Sequence, residues 1–152
     1  KGPNVFNGYW RMKEKTEEEF TKDGFFITGD IGQIDEMGRL TLSGRSSDMI
    51  ISGGYNIYPK EIELILDEQP GVIESAVIGV PHPDFGESVV GILVSDGTDS
   101  LDLEQITQSV ATSLAKFKQP RKLIVVDELP RNAMGKVQKN TLRDIYGSAL
   151  PD

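Results

Sequence analysis

The sequence MIISGGYNIYPKEIE, residues 49–63, carries the pattern that decides the fold. Two short apolar runs flank a Gly-Gly dipeptide, which is common in the turns between antiparallel strands. Pro59 follows the second run, and proline is favoured at the first position of a helix. The stretch therefore predicts a β-hairpin that leads directly into a helix, with Ile62 and Leu66 on its apolar face.

The sequence downstream of this helix predicts three further strands and two further helices. Segments rich in β-branched residues favour strands, and apolar residues three or four positions apart favour helices. The predicted segments are, in order, strand Val72–Val80, loop Pro81–Glu87, strand Ser88–Val94, a helix capped by Ser100 and stopped by Pro120, buried strand Leu123–Val126 and helix Asn140–Tyr146. The resulting order, ββαββαβα, predicts an α+β fold with a small mixed sheet, a β-hairpin and flanking helices.

The sequence upstream of the decisive stretch predicts another β-hairpin. Ile31–Asp35 and Arg39–Ser43 alternate in polarity on either side of a turn, and Phe25–Thr28 is a short strand candidate. A polar, glycine-led joint follows at residues 44–48. Because linkers of this composition separate domains, we expect a domain boundary there.

The expected boundary divides the chain into two unequal parts. Residues 1–46 would be the hairpin-rich trailing end of a larger domain, and residues 47–152 would form a second, small domain. The chain begins at Lys1 without an initiator methionine, so we expect it to be a piece of a longer protein.

Composition excludes several kinds of chemistry. The 152 residues are 38% hydrophobic and 26% charged, which is typical of a soluble globular protein, and no apolar run is long enough to span a membrane. Cysteine is absent, which excludes disulfides and thiolate sites and fits the cytoplasm, where we expect the protein. The single histidine, His82, argues against a Ser-His triad or a multi-histidine metal site, and we expect no metal site in this chain.

The distribution of charge points to a small anionic ligand. The net charge of −8 argues against broad nucleic-acid binding. Residues 116–143 nevertheless contain eight cations against two acidic residues, whereas residues 46–105 contain one cation against twelve. A local basic patch on an acidic protein suits a small polyanion, although a solvated helix face is the alternative.

The basic stretch contains the sequence LPRNAMGKVQK, residues 129–139. It places Lys136 directly after a glycine, on a turn flanked by further cations. A lysine held in this way suits an oxyanion such as a carboxylate or a phosphate. The alternative is an exposed loop lysine without a ligand, because Gly-Lys pairs are common.

Three further segments accompany this one in a fixed order. They are GFFITGD at 24–30, LSGRSSD at 42–48 and SGGYNIYPKEIE at 52–63. Together with residues 129–139 they resemble the signature segments of the adenylate-forming superfamily, which comprises acyl-CoA synthetases, luciferases and peptide-synthetase adenylation domains. The four segments span nearly the whole chain, and their order makes the resemblance specific.

The resemblance implies a role for several residues in binding ATP. Lys136 would be the catalytic residue that contacts the reacting carboxylate and the α-phosphate. Asp30 would accept hydrogen bonds from the ribose hydroxyls of AMP, and Arg45 would bind the ribose or a phosphate. Ser47 occupies the hinge position, where the superfamily usually has aspartate or lysine, so this chain departs from the pattern there.

The resemblance also implies a site for CoA. Ser52, Gly53 and Gly54 correspond to the element that lines the pantetheine tunnel, where missing Cβ atoms let the backbone approach a narrow ligand. Lys116, expected at the end of a helix, would meet the CoA phosphates or simply favour the helix C-terminus. Lys136 and Gly54 would lie on opposite faces of a mobile C-terminal domain that rotates about Ser47.

The activity implied by the resemblance is that of an acyl-CoA synthetase, which joins a carboxylic acid to CoA through acyl-AMP. Its cofactors and co-substrates would be ATP, CoA and Mg²⁺, the last bound mainly by the preceding domain, so this chain alone would be inactive. Several segments most resemble malonyl-CoA synthetases, and fatty-acyl-CoA and aryl-CoA ligases are the alternatives. Alternatives of another class are a substrate domain for a lysine acetyltransferase acting on Lys136 and a stand-alone AMP-binding regulatory domain.

Overall fold

The computed structural model describes residues 1–97 and 101–148. Its helices are α1 Lys13–Glu19, α2 Pro59–Asp67, α3 Leu103–Ser113 and α4 Lys139–Tyr146. Its strands are β1 Asp30–Ile34, β2 Leu40–Arg45, β3 Ile50–Ser52, β4 Tyr55–Ile57, β5 Val72–His82, β6 Gly86–Ser95 and β7 Lys122–Val126. The order after residue 49 is ββαββαβα, as the sequence predicts, and the α+β fold class is confirmed.

The strands form two separate sheets. β1 and β2 pair as an antiparallel hairpin, and the other five strands form a mixed sheet centred on β6. β5 pairs antiparallel with β6 from end to end, while the other edge of β6 is shared by β3 at Gly86 and by β7 along Val90–Val94. β7 runs parallel to β6, which requires the crossover that α3 provides.

The mixed sheet is covered on both faces, which explains why its central strands are almost continuously apolar. Val77 of β5 and Leu93 of β6 point into one core, where α2 and α3 pack. The alternate residues, such as Ile78 and Ile92, point into a second core that contains Leu142 of α4. The side chains in the middle of both strands are therefore removed from water, whichever face they occupy, and only the strand ends remain partly exposed.

The first part of the chain lacks a buried core. None of residues 1–49 is fully buried, and its largest cluster is a set of edge-to-face rings around Phe6, which contacts Tyr9, Phe20 and Phe26. A short 3₁₀ turn, Ser46–Asp48, joins this part to the mixed sheet. The first fully buried residue, Ile50, lies two residues after the end of that turn.

Several details differ from the sequence predictions. Phe25–Thr28 forms no strand, since only an isolated bridge joins Phe20 to Phe26. β5 and β6 extend to His82 and Gly86, because their ladder continues through Pro81 and leaves a tighter turn than expected. β7 is only partly buried, since it lies at an edge of the sheet.

The helix between β6 and β7 also differs in its ends. Ser100, the predicted cap, lies outside the described residues, and the structure places the cap at Asp102, whose Oδ1 accepts from the Gln105 amide at 3.0 Å. The helix ends at Ser113, so Lys116 lies on a separate 3₁₀ turn, Lys116–Lys118, and not at the helix end. Within the described ranges, no helix is both long and apolar enough to cross a membrane.

Candidate functional site

Lys136 lies on a tight loop that follows β7. The loop closes through an antiparallel bridge between Arg131 and Val137, and Gly135 takes a left-handed backbone conformation with φ of 78°. The Asn132 side chain accepts hydrogen bonds from the amides of Met134 and Lys136, each at 3.0 Å. The backbone of Lys136 is thus fixed by its own loop.

The side chain of Lys136 is exposed and makes no ion pair or hydrogen bond within the described part of the chain. The cation on each side of it is paired: Arg131 contacts Glu74 of β5, and Lys139 contacts Glu63 of α2. A single ammonium group therefore projects freely from a rigid loop whose other cations are neutralised, which suits it to an anionic ligand.

Asp30 and Arg45 lie side by side at the start of β1 and the end of β2. Arg45 Nε lies 3.0 Å from Asp30 Oδ1, and Arg45 Nη1 donates to the Thr28 carbonyl at 2.9 Å. Both side chains are partly exposed. The pair places one carboxylate and one guanidinium at the same point, where each retains atoms free for hydroxyl or phosphate groups.

A cleft of about 680 Å³ opens beside this ion pair. It is lined by Asp30, Arg45 and Ser47, so the structure brings the two candidate AMP-binding residues and the candidate hinge residue together. Sequence reasoning missed Tyr9, which lines the same cleft and donates a hydrogen bond to Glu19 at 2.8 Å. That hydrogen bond raises the pKa of the Tyr9 hydroxyl.

Gly53 and Gly54 form the turn between β3 and β4. Both adopt positive φ, 56° and 83°, which disfavours any residue with a Cβ. A Cβ at Gly53 would lie 3.5 Å from Phe85, whereas a Cβ at Gly54 would point into open space. The backbone at Gly54 is therefore accessible to a ligand from outside.

A smaller cleft of about 180 Å³ lies next to this turn. Ser52, Gly53 and Lys116 all line it, so three of the four candidate CoA-binding residues meet there. Its walls also include residues that sequence reasoning missed: Phe85, whose ring contacts the Arg121 guanidinium at 4.5 Å, and the stacked pair Tyr55 and Phe117. Local sequence gave no signal for these contacts, because they join distant segments.

His82 stands at the edge of this region. Its Nδ1 accepts from the Asp84 amide at 3.2 Å, and its Nε2 lies 3.4 Å from Arg121 Nη1. Both ring nitrogens therefore have polar neighbours within the fold.

The Lys136 loop and the Gly54 turn lie at opposite ends of β5. Arg131 of the loop contacts Glu74, near the start of the strand, whereas the Gly53 amide donates to the carbonyl of Phe85, just beyond its end at His82. Glu74 and His82 are eight residues apart, which corresponds to about 26 Å along a strand. The structure thus separates the lysine from the candidate CoA-binding residues by the length of the sheet.

The family model described as the AMP-binding enzyme C-terminal domain matches residues 61–136. This is half of the chain, and it includes the stretch from α2 to Lys136. The chain belongs to this family. Its members among curated proteins are much longer than the chain itself, so the relatives below are matched over only part of their length.

Two curated relatives illustrate the range of acids used in the family. The long-chain-fatty-acid–CoA ligase FadD13 of Mycobacterium tuberculosis is 44% identical over 94% of this chain, which spans 28% of that protein. The malonate–CoA ligase of Arabidopsis thaliana is 39% identical over 94% of the chain, which spans 25% of that protein.

Two solved structures of MatB from Rhodopseudomonas palustris match the chain to different degrees. The ATP-bound structure is 58% identical with a TM-score of 0.90, covering 98% of this chain and 30% of that one. The apo structure is 59% identical over the same shares, but its TM-score is 0.73. Since both are structures of MatB, the arrangement of the matched part differs between the two forms, and this structure is more similar to the ATP-bound form.

Proposed function

We propose that the protein to which this chain belongs is an ATP-dependent acyl-CoA synthetase. In its first step a carboxylate oxygen attacks the α-phosphorus of ATP, forming acyl-AMP and releasing pyrophosphate. In its second step the CoA sulfur attacks the acyl carbon, forming the thioester and releasing AMP. The observation that carries the proposal is the separation of Lys136 and Gly54 by the length of β5.

Lys136 is proposed to act in the first step. The attacking carboxylate and the α-phosphate are both anionic, so their approach needs a cation at the point of contact. Lys136 is exposed, its loop is rigid, and its neighbouring cations are already paired. These properties support its assignment as the group that neutralises the charge.

Asp30 and Arg45 are proposed to hold the nucleotide. Asp30 Oδ2 is free to accept from a ribose hydroxyl while Oδ1 contacts Arg45. Arg45 has donors left over for the ribose or a phosphate, and the adjacent cleft of about 680 Å³ is large enough for a nucleotide base and sugar.

The second step is proposed to use the turn at Gly54. The turn offers exposed backbone without a Cβ, and the adjoining cleft contains Lys116 and Arg121, whose charges suit the phosphates of CoA. Tyr55 and Phe117 provide apolar walls for the pantetheine arm.

Because the two loops lie at opposite ends of the sheet, one acyl group cannot meet both in a single arrangement. We propose that residues 1–46 are the end of a larger domain. Residues 47–152 then form a second domain, which rotates about Ser47. Ser47 lies in the short 3₁₀ turn, with no buried residue before it. The difference in TM-score between the ATP-bound and apo forms of MatB supports such a rotation.

Malonate is the proposed acid. The support is the resemblance of several segments to malonyl-CoA synthetases and the presence of a malonate–CoA ligase among the relatives. FadD13, at somewhat higher identity, makes a fatty-acyl-CoA ligase the first alternative, and an aryl-CoA ligase is the second. The pocket that would bind the rest of the acid, beyond its carboxylate, is proposed to lie outside this chain.

Among the described residues, no group of three or more acidic or histidine side chains could hold a metal ion. The proposal therefore assigns no step to the metal in this chain. The alternative role as the substrate of a lysine acetyltransferase gains no support from the relatives and remains a prediction, to be tested by peptide mapping of Lys136 after incubation with acetyl-CoA and a candidate enzyme.

The test of the class and of the acid is pyrophosphate release by the full-length protein with ATP and a panel of acids. We expect release with malonate that disappears in Lys136→Ala, while thioester formation from supplied malonyl-AMP is retained. Release with another acid would replace malonate and keep the mechanism. Equal loss of both half-reactions in Lys136→Ala, or no release with any acid, would overturn the proposal.

The test of the CoA site is Gly54→Leu, which we expect to block thioester formation and spare pyrophosphate release. Gly97→Leu is the matched control, because Gly97 also has a positive φ, 73°, and open space around its Cβ position, but lies in a different turn. If Gly97→Leu blocks the thioester step equally, backbone strain and not obstruction explains the effect. The 152-residue chain alone is expected to release no pyrophosphate.

A further inference from the structure

Lys139 places a positive charge at the start of α4, where a positive charge is unfavourable. It is the first residue of that helix, where the unpaired N–H groups favour acidic side chains and disfavour cations. The first turn of α4 contains no acidic residue, and Gln138 makes no side-chain cap. A side chain of the wrong charge at a helix start indicates that another interaction determines its place.

That interaction is an ion pair with Glu63 of α2. Lys139 Nζ lies 2.6 Å from Glu63 Oε1, and the same oxygen accepts from the Val77 amide at 3.0 Å. The side chains are only 16% and 9% exposed, so this is the least exposed ion pair in the described structure. Ion pairs removed from water in this way contribute little net stability, and their best-attested use is to fix one arrangement of the parts they join.

The parts joined here are the core and the Lys136 loop. Glu63 is fixed, because its neighbours on α2, Ile62 and Leu66, are fully buried and its carboxylate is bound to β5 through Val77. Lys139 lies three residues after Lys136, and the Gln138 amide between them donates to the Pro130 carbonyl at 2.8 Å. The short backbone segment between Lys136 and Lys139 is therefore itself held by a hydrogen bond.

The other side of the loop is held in the same manner. Arg131 contacts Glu74 of β5 and donates to the Gly135 carbonyl at 2.6 Å. This contact is partly exposed, whereas the Lys139 contact is buried, so the Glu63 side is the more rigid of the two.

The pair also faces the candidate nucleotide site. Glu63 and Lys139 line a cleft of about 230 Å³ that Asp30 and Arg45 also line. The contact between α2 and α4 therefore determines where the Lys136 loop lies with respect to the Asp30–Arg45 pair.

We infer that Glu63 and Lys139 are a positioning pair that holds Lys136 in place for the adenylation step. The inference rests on the proposed role of Lys136. The pair acts through the loop: without it the first residue of α4 loses its contact with α2, and the loop can move as a unit and carry Lys136 with it. Misplacement of a reacting group by about 1 Å is enough to slow a reaction about 100-fold.

The test uses the full-length protein and measures the two half-reactions separately. In Lys139→Met we expect the rate of acid-dependent pyrophosphate release to fall about 10- to 100-fold. Thioester formation from supplied acyl-AMP should stay within about twofold, because the Gly54 turn lies at the far end of β5. Lys139→Arg, which keeps the charge, should recover most of the adenylation rate.

Lys118→Met is the matched control. Lys118 forms an ion pair with Glu61, only two residues before Glu63 on the same helix, at 2.7 Å. That pair is more exposed and does not join α2 to the Lys136 loop, so its loss should leave the adenylation rate within about twofold of the wild type.

Glu63→Gln provides a second variant in case Lys139→Met fails to fold. Its amide oxygen can still accept from the Val77 amide, so the core contact survives while the charge is lost. A smaller loss confined to adenylation supports the inference. Equal loss in both half-reactions, or an unchanged adenylation rate in a folded variant, overturns it.

Lys136→Ala, measured alongside, separates this inference from the proposed function. If Lys136→Ala abolishes adenylation and the two variants of the pair do not affect it, only the positioning role fails. If Lys136→Ala leaves adenylation intact, the proposed function fails first, and the inference fails with it.

Discussion

Residues 1–49 and residues 50–148 differ greatly in how much buried apolar surface stabilises them. The second region contains every fully buried residue of the described structure, in two cores on the two faces of one sheet. The first region has a hairpin, a short helix and a ring cluster but no buried residue. Burial of apolar surface is the main stabilising term in folding, so the first region has little of its own.

The first region does contain large apolar residues, but their side chains are exposed. The exposed fractions are 83% for Trp10, 76% for Met37, 71% for Ile34, 63% for Leu40 and 60% for Leu42. Four of these five side chains, all except Trp10, lie on the β1–β2 hairpin, and exposed apolar residues grouped in this way indicate a surface that another part of a protein covers. This agrees with the proposal that residues 1–46 end a larger domain, and it makes the two regions separable by experiment.

The largest expected difference between the two regions is their ability to fold when the chain is divided. We expect residues 47–152 alone to unfold cooperatively in urea, because both cores remain complete. Residues 1–46 alone should give the circular dichroism of an unfolded peptide, since an isolated hairpin is marginal in water. A stable fold for residues 1–46, or loss of the fold in residues 47–152, would contradict the comparison.

A sharper version compares two single substitutions in the whole chain. Ile62 is fully buried between α2 and the sheet, so Ile62→Ala should lower the free energy of unfolding by about 2–5 kcal/mol. Leu42 is 60% exposed, so Leu42→Ala should change it by less than about 0.5 kcal/mol. Urea titration measures both, and similar losses at the two positions would mean that Leu42 is buried in solution.

The smallest expected effect concerns the β1–β2 turn. Hydrogen bonds from the Arg39 backbone and side chain to Asp35 hold the pKa of the Asp35 carboxyl below its usual range. A carboxyl with a lowered folded-state pKa contributes stability above its unfolded pKa, and this is lost as the pH falls through the folded pKa. The hairpin should therefore loosen in acid before the mixed sheet does.

The measurement is an NMR titration of the Arg39 and Met37 amides, whose hydrogen bonds to Asp35 Oδ1 are each 2.9 Å long. Asp35→Asn should abolish the acid-dependent shift of both amides, whereas Glu36→Gln in the same turn should leave it in place. Titration of the two amides in Asp35→Asn would assign the effect to another group.

The sequence correctly predicted the structural features that depend on residues close together in the chain. The hairpin at residues 49–58, the proline start of α2 and the long apolar strands each have a local signal, and the structure contains all three. The failed strand at Phe25–Thr28 shows the limit of that signal, because apolar residues also form ring clusters such as that of Phe20 and Phe26. The helix end before Lys116 was misplaced for a similar reason, since a 3₁₀ turn continues the apolar spacing.

Contacts between distant segments were beyond sequence reasoning. Glu63 and Lys139 are 76 residues apart, and nothing near either residue indicates the other. The Asp30–Arg45 ion pair was likewise not expected, although each residue was assigned to the same ligand. The sequence therefore identified candidate residues by type and order, and the fold decided which of them meet.

The parallel strand β7 has a consequence for the order in which the protein folds. His82 and Gly86 pair across a gap of four residues, whereas Val90 and Lys122 pair across 32. Pairing across a long loop forms more slowly, because more chain entropy is lost before any contact is gained. We therefore expect β5 and β6 to acquire protection first in pulsed hydrogen exchange and β7 last, so that Lys136 takes its place only when the domain is otherwise complete.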